Sequence, residues 1–195
     1  MFLCPRPEPG VAFDPGTGRR CGMRLFAGKI PVIAKEIAST LVRDGDIEVA
    51  DKATQEELEL DLQAVLKEYL RVEKELVDQA KDYLQEHGLP YSDFGKAMKV
   101  VAEGREFGRG EDAIGYITAQ AIGCFMCSAH VEEIYADDAT LNRKMRAVLR
   151  KHMSEGQDVE REVRARMRNI EEGSREWDVE FQRLRDEIQR KKGLE

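Results

Sequence analysis

The chain repeats itself at an interval of 87 residues, and this repeat constrains the fold more than any other feature of the sequence. Shifting the sequence by that interval superposes identical residues without a gap over most of the match. Apolar positions coincide as well, as at Leu58 and Met145. The register predicts two copies of one module, at residues 23–110 and 111–195. The identities are Ile47/Ile134, Asp51/Asp138, Leu62/Leu149, Val72/Val159, Glu73/Glu160 and Phe94/Phe181.

Composition and periodicity predict that each module is helical. Hydrophobic residues make up 42% and charged residues 35% of the chain, which is typical of soluble helical proteins. In the first copy, Pro31 suits a helix start, and Asp44-Gly45-Asp46 ends that helix. A capping box at Thr54 then opens a long helix with apolar residues at intervals of three and four, close to a heptad pattern. A shorter helix follows from Ser92 to about Ala102.

The second copy repeats this order. The pattern predicts a helix from Ile114 to His130, an extended piece at 134–136, a long helix from about Leu141, and a terminal helix containing Trp177. Gly156 and Gly173 interrupt the helical pattern and predict bends or breaks there. We therefore expect an all-α fold, a tandem duplication with one long coiled-coil-like helix per copy.

Residues 1–22 lie outside the repeat. Their Pro, Gly and Arg content cannot form a core and predicts a disordered tail. Arg19-Arg20 can be encoded by AGGAGG, a bacterial ribosome-binding sequence, two codons before Met23. We therefore expect translation in the cell to start at Met23; a genuine disordered tail is the alternative.

The modules resemble a bacterial family known as domain of unknown function 507. The matching features are Met23-Arg24-Leu25 followed by Lys29-Ile30, then the segments 45–49, 72–76 and 91–94, read as GDIEV, VEKEL and YSDF. The second copy departs from this pattern, with Glu132 in place of the turn glycine and a different spacing from Trp177 to Phe181. The resemblance implies a bacterial cytoplasmic location, and it implies no particular activity.

The sharpest candidate for chemistry is Cys124, Cys127 and His130, which a helix would bring near one face and which are good zinc ligands. A fourth ligand is not evident, and the first copy has Ile37, Thr40 and Arg43 at these places. A small buried hydrophobic residue explains Cys124 better. We therefore expect no metal, no cofactor and no catalytic residues. His87 and His152 are expected to cap or pack helices.

Charge separates the two copies. Residues 143–168 contain nine Lys or Arg and four acids, whereas the matching residues 56–81 contain four and eight. The sign inverts at three matched positions, Glu56/Arg143, Glu57/Lys144 and Glu59/Arg146. Either the acidic helix pairs with the basic helix, within one chain or between chains, or the basic helix binds nucleic acid. The candidate nucleic-acid-binding residues are Arg143, Lys144, Arg146, Arg150, Lys151, Arg161, Arg164 and Arg168.

The net charge of −7 opposes binding of polyanions by the chain as a whole. The longest uncharged run, Ala113 to Ala129, contains polar residues and is interpreted as a buried helix rather than a membrane span. We expect a non-enzymatic helical interaction or scaffold module that associates with itself or with another protein. Nucleic acid is the second choice of partner.

Overall fold

The computed structural model describes residues 13–14, 19–20, 25–110, 112–167 and 175–192. Within these residues the fold is all-α, as predicted, apart from four strands of two residues each. Short 3₁₀ turns at Ala27–Lys29 and Tyr91–Asp93 lead into the first and third helices. In chain order the elements are β1 (Phe13–Asp14), β2 (Arg19–Arg20), α1 (Ile30–Arg43), β3 (Ile47–Glu48), α2 (Lys52–Glu86), α3 (Phe94–Gly104), α4 (Ala113–Cys127), β4 (Glu133–Ile134), α5 (Asp138–Arg166) and α6 (Arg175–Lys192).

The turn after α1 leads into the contact that joins the two halves of the chain. Pro31 lies in the first turn of α1, where its missing N–H costs no hydrogen bond. Gly45 has a φ of 71°, which glycine adopts without steric cost, so the chain reverses there into β3. Strand β3 pairs with β4 in antiparallel fashion, with Ile47 opposite Ile134. Two residues that are matched in the sequence repeat therefore face each other.

Both long helices begin at an Asp-x-x-Thr sequence. Asp51 caps α2 by accepting a hydrogen bond from the Thr54 N–H at 2.8 Å, and Asp137 caps α5 from the Thr140 N–H at 3.0 Å. These threonines lower the pKa of both carboxyls. The prediction that Thr54 is itself the cap is wrong, because Thr54 lies inside the helix and its hydroxyl donates to Asp51 at 2.9 Å. Asp138 lies one residue beyond the cap of α5.

The helices pack in a pattern that is the same for both halves. Helices α1 and α4 each pack against both long helices, α2 and α5, while α3 packs along α2 and α6 along α5. Helix α2 has 35 residues, a length of about 52 Å at 1.5 Å per residue. The buried side chains that hold the long helices in this core include Leu58, Leu62, Leu66 and Tyr69 of α2 and Leu141, Met145, Leu149 and Met153 of α5.

The segments that precede α1 and α4 each carry a buried phenylalanine that packs on a long helix. Phe26, ahead of α1, is buried with Val163, Trp177 and Ile188 on α5 and α6. Phe107, ahead of α4, stacks on Tyr69 of α2 with ring centroids 4.9 Å apart. Phe26 therefore joins the first module to the second, while the stack of Phe107 lies within residues 23–110.

Three further predictions concern the N-terminal tail, the glycines Gly156 and Gly173, and a membrane span. The predicted tail lies outside them except for β1 and β2, which pair with each other. Helix α5 continues through Gly156 without the predicted break, whereas Gly173 lies outside the described residues. Among the residues described, no helix has the length and apolar character needed to span a membrane.

Candidate interaction surface

A row of three arginines lies along one side of α5. Arg143, Arg146 and Arg150 are spaced by three and four residues, so a helix places them on one face. They line an open hollow of about 750 Å³. We call this side of α5 the basic face; its residues are Asp138, Ala139, Asn142, Arg143, Arg146, Ala147 and Arg150.

The arginines of the basic face differ in burial. Arg143 and Arg150 are exposed, while Arg146 is half-buried. The Arg146 Nε is buried and has no hydrogen-bond partner within the described part of the chain. Its Nη2 lies 3.1 Å from the position that a Cβ on Gly115 would occupy, so the absence of a side chain at Gly115 leaves room for this guanidinium beside α4.

Lys144, on the same helix, is engaged within the chain. Its Nζ lies 2.8 Å from Asp44 and 2.5 Å from Asp46, in the turn after α1. Hydrogen bonds to Asp44 and Asp46 raise the pKa of Lys144, and the same lysine lowers the pKa of Asp44. The expected pairing of Lys144 with the acidic helix is therefore wrong within the chain: its partners lie beside α1.

Lys151 and His152 are also engaged, by one carboxylate of α1. Glu36 lies 2.8 Å from the Lys151 Nζ and 2.7 Å from the His152 Nε2. Hydrogen bonds from Lys151 and then from His152 lower the pKa of Glu36. His152 is only 6% exposed, which agrees with the expectation that it packs a helix. We call these three residues the Glu36 cluster.

The remaining basic residues predicted from the sequence do not lengthen the row of arginines on α5. Arg164 is half-buried and its Nε is buried. The side chain of Arg161 and the whole of Arg168 lie outside the described residues. Of the eight basic residues named from the sequence, Lys144 and Lys151 bind α1 and its turn, and Arg143, Arg146 and Arg150 line the hollow. The other three, Arg161, Arg164 and Arg168, belong to neither group.

The matching side of α2 carries the opposite charge. Glu56 and Glu59 stand 87 residues before Arg143 and Arg146, and Leu60 stands 87 residues before Ala147. Leu60 is 54% exposed. Gln55 donates a 3.3 Å hydrogen bond to Glu59. We call this side of α2 the acidic face; its residues are Asp51, Lys52, Gln55, Glu56, Glu59, Leu60 and Gln63.

The predicted Cys and His cluster is not assembled as a metal site. Helix α4 ends at Cys127, so His130 does not share a helical face with Cys124 and Cys127 as predicted. Instead, Asp61 of α2 accepts a 2.7 Å hydrogen bond from the Ser128 hydroxyl and lies 2.9 Å from the His130 Nδ1. Burial raises the pKa of Cys124. The described residues contain no group of three or more metal-ligating side chains.

Asp61 is the residue that sequence reasoning overlooked at this place. It lies within the acidic stretch of α2, and its contacts cross 67 and 69 residues of sequence. His87 behaves as expected: it caps the C-terminus of α2 and stacks on Tyr83 at 4.1 Å.

Comparison with known proteins gives one finding. A family model described as "Protein of unknown function (DUF507)" matches residues 23–194, a single match that runs through both halves of the chain. A search of curated proteins finds no match. The resemblance inferred from the sequence is confirmed at the level of the family.

Proposed function

The chain belongs to the family of proteins of unknown function described as DUF507, and we propose that it is a non-enzymatic helical interaction module that binds a protein partner through the basic face of α5. The bacterial cytoplasmic location is part of this proposal and rests on the family resemblance. The basic face is the observation that carries the proposal.

We propose that the module arose by tandem duplication and that a pseudo-twofold axis passes through the Ile47 and Ile134 pair. The antiparallel pairing of these matched residues supports this, since a twofold axis brings equivalent points face to face. The repeated packing of α1, α2 and α3 in α4, α5 and α6 supports it too. A seven-residue spacing of the buried Leu62, Tyr69 and Leu76 supports the coiled-coil-like character of α2.

The basic residues of α5 divide into those that form ion pairs within the chain and those that are exposed to a partner. Lys144 and Lys151 bind carboxylates within the chain, so their role is to hold α5 against α1 and its turn. Arg143 and Arg150 are exposed and make no ion pair within the described part of the chain. A row of arginines around an open hollow is suited to an acidic surface, because the planar guanidinium binds carboxylates through two hydrogen bonds.

Site-specific photocrosslinking in the native bacterium tests this proposal. A photoreactive phenylalanine derivative at Ala139, an exposed residue in the hollow, should give discrete protein adducts that resist nuclease. The same group at Ala129, which is exposed between α4 and β4, is the matched control. Adducts that are no more abundant at Ala139 than at Ala129 would contradict the proposal.

Nucleic-acid binding is the second candidate, and the same row of arginines favours it, since phosphates are bound by such side chains. The net charge of −7 opposes it, because the whole chain repels a polyanion. Nuclease-sensitive adducts at Ala139, together with salt-sensitive binding of a defined duplex that is lost in R143E/R150E, would make this candidate the better one.

A further inference from the structure

The acidic face and the basic face occupy matched positions on the two long helices, and they are complementary. The acidic face holds three carboxylates and one lysine, and the basic face holds three arginines and one carboxylate. Like charges at matched positions would repel when two copies meet there. Opposite charges attract, so this pattern suits contact between the two faces.

The two faces also differ in side-chain size at one matched position, 60 on α2 and 147 on α5. Leu60 is 54% exposed and stands on the acidic face beside Glu56 and Glu59. The equivalent residue on the basic face is Ala147, which lines the hollow of about 750 Å³ between the arginines. An exposed leucine on one surface fits a shallow, open hollow on the other, where Ala139 and Ala147 lie among the three arginines.

Among the residues that the structure describes, no hydrogen bond or ion pair joins the acidic face of a chain to its own basic face. The contacts of Lys144 and Lys151 show that α5 directs its lysines at α1 and its turn. Helix α2 packs against α1, α3 and α4. The acidic face therefore needs another molecule to meet a basic face.

We propose that a second copy of this chain occupies the basic face, with its own acidic face seated there and its Leu60 in the hollow beside Ala147. This inference rests on the proposed function and names its partner. The contact is heterologous, because one surface of the first copy meets a different surface of the second. Each copy then retains an unused face, which either closes a ring or extends the assembly.

The local pattern of charge argues for this occupant over a nucleic acid. A second copy presents a compact acidic face of three carboxylates, two of which, Glu56 and Glu59, stand at positions that match Arg143 and Arg146. Two copies at −7 each repel one another as a whole, so the attraction is confined to these two faces. Because the contact is electrostatic and partly exposed, it should weaken as salt is added. Salt dependence alone does not separate the two occupants, so the test uses complementary variants.

Sedimentation equilibrium over micromolar to millimolar protein provides the test. At low salt the weight-average mass of the wild-type chain should rise above 22.2 kDa with concentration, and fall back at high salt. R143E/R150E, which removes the basic face, and E56R/E59R, which reverses the acidic face, should each remain monomeric. An equal mixture of the wild-type chain with either should associate less than the wild type alone.

A mixture of a basic-face variant and an acidic-face variant gives a second, sharper result. A147L blocks the hollow, so this variant keeps only a working acidic face. L60D removes the protruding side chain, so this variant keeps only a working basic face. The two should form a 1:1 dimer when mixed and should remain monomeric apart. K35E/K99E has the same charge change as R143E/R150E at exposed sites on α1 and α3, and should associate like the wild type.

Several results would overturn the inference. A wild-type chain that stays monomeric at millimolar concentration and low salt would do so, as would R143E/R150E associating like K35E/K99E. If R143E/R150E lost only binding of a nucleic-acid duplex, the occupant would be nucleic acid. If the purified chain were monomeric while the photoreactive group at Ala139 crosslinked to a different protein in the cell, the proposed function would stand and this inference would fail.

Discussion

The contact of α1 with α5 and the contact of α4 with α2 occupy equivalent places in the two halves, yet different forces hold them. On α1, Glu36 binds Lys151 and His152 of α5. On α4, the matched residue is Gly123, which faces open space, and the matched residues of α2 are Ala64 and Val65. These two line an open groove of about 490 Å³ with Tyr69, Val72, Tyr116 and Ile117.

This difference teaches that the ion pairs are not what defines the fold. The same helix packing forms with the Glu36 cluster on one side and, on the other, an open groove lined by apolar residues together with Glu68 and Gln120. On that second side, Asp61 of α2 binds Ser128 and His130 at the end of α4. What the two sides share is buried apolar residues at matched positions, and burying one Leu contributes roughly 1.5–3 kcal/mol. The shared pairs are Ile30/Ile117, Ala34/Ala121, Leu58/Met145, Leu62/Leu149 and Leu66/Met153. Surface charge is then free to differ, and the acidic and basic faces are where it does.

The largest effect should come from the shared core. Leu62→Ala and Leu149→Ala should each lower the free energy of unfolding by about 2–5 kcal/mol, because each leaves a cavity at a buried position. Both should do so in one transition, since the two residues belong to a single core. Urea denaturation followed by circular dichroism measures this. Leu60→Ala, at an exposed position, is the control and should change stability by no more than about 0.5 kcal/mol. Two separate transitions would mean that the halves unfold independently.

A smaller effect should come from the Glu36 cluster. His152→Val places on α5 the residue that α2 has at Val65, and removes a hydrogen bond to Glu36. The loss should be about 1 kcal/mol, since Val restores apolar packing and Lys151 still binds the carboxylate. Lys35→Met changes an exposed lysine of α1 outside the Glu36 cluster and is the control, with an effect within about 0.5 kcal/mol. Thermal unfolding that gives equal stability for His152→Val and the wild type would show that this contact does not hold α5 to α1.

The Glu36 cluster should also make the free energy of unfolding depend on pH. The pKa of Glu36 lies below its ordinary value of 4.5, so its ionised form stabilises the folded state above that pH, and the contribution is lost as pH falls through the lowered pKa. The wild type should therefore exceed Glu36→Gln in stability near neutral pH and lose this advantage below pH 4.5. Urea titrations at several pH values test it; an advantage that stays constant down to pH 3 would contradict the role of Glu36.

The smallest effect should come from building the cluster in the other half. Gly123→Glu with Val65→His places the pair of α1 and α5 between α4 and α2. A double-mutant cycle should give a favourable coupling of about 0.2–1 kcal/mol, typical of partly exposed pairs. Gly123→Ala separates out the helix propensity, which should itself stabilise by about 0.5–1 kcal/mol. A coupling of zero would show that these positions are not equivalent.

Much of the fold could be predicted because helix periodicity is a local property. Pro31 at its start and Asp44-Gly45-Asp46 at its end predicted α1 to within a few residues. The cap of α2 was misplaced because Asp51 and Thr54 are both good N-cap residues, and the sequence does not say which one lies outside the helix. The end of α4 was misplaced because Ser128 bonds to Asp61, a contact that no local pattern contains.

The candidate surface could be predicted only in part. Its charge inversion was visible in the matched positions 56/143 and 59/146. The sequence could not separate Lys144 from Arg143, because the partners of Lys144 at Asp44 and Asp46 are 100 and 98 residues away. Only the packing of α5 against α1 decides which charges are used inside the chain. The pairing of Ile47 with Ile134 also depends on tertiary contact, although the repeat marked both residues.

Carboxyl footprinting of the wild-type chain tests most directly whether the two charged faces meet. Modification by a carbodiimide and an amine would be compared at dilute and concentrated protein, both at low salt, with mass-spectrometric readout at each carboxylate. The account predicts that Glu56 and Glu59 become protected on concentration and are exposed again at high salt or in R143E/R150E, while Glu86, exposed at the far end of α2, reacts equally throughout. Equal modification of Glu56 and Glu59 at both concentrations, in a chain that has associated, would contradict it.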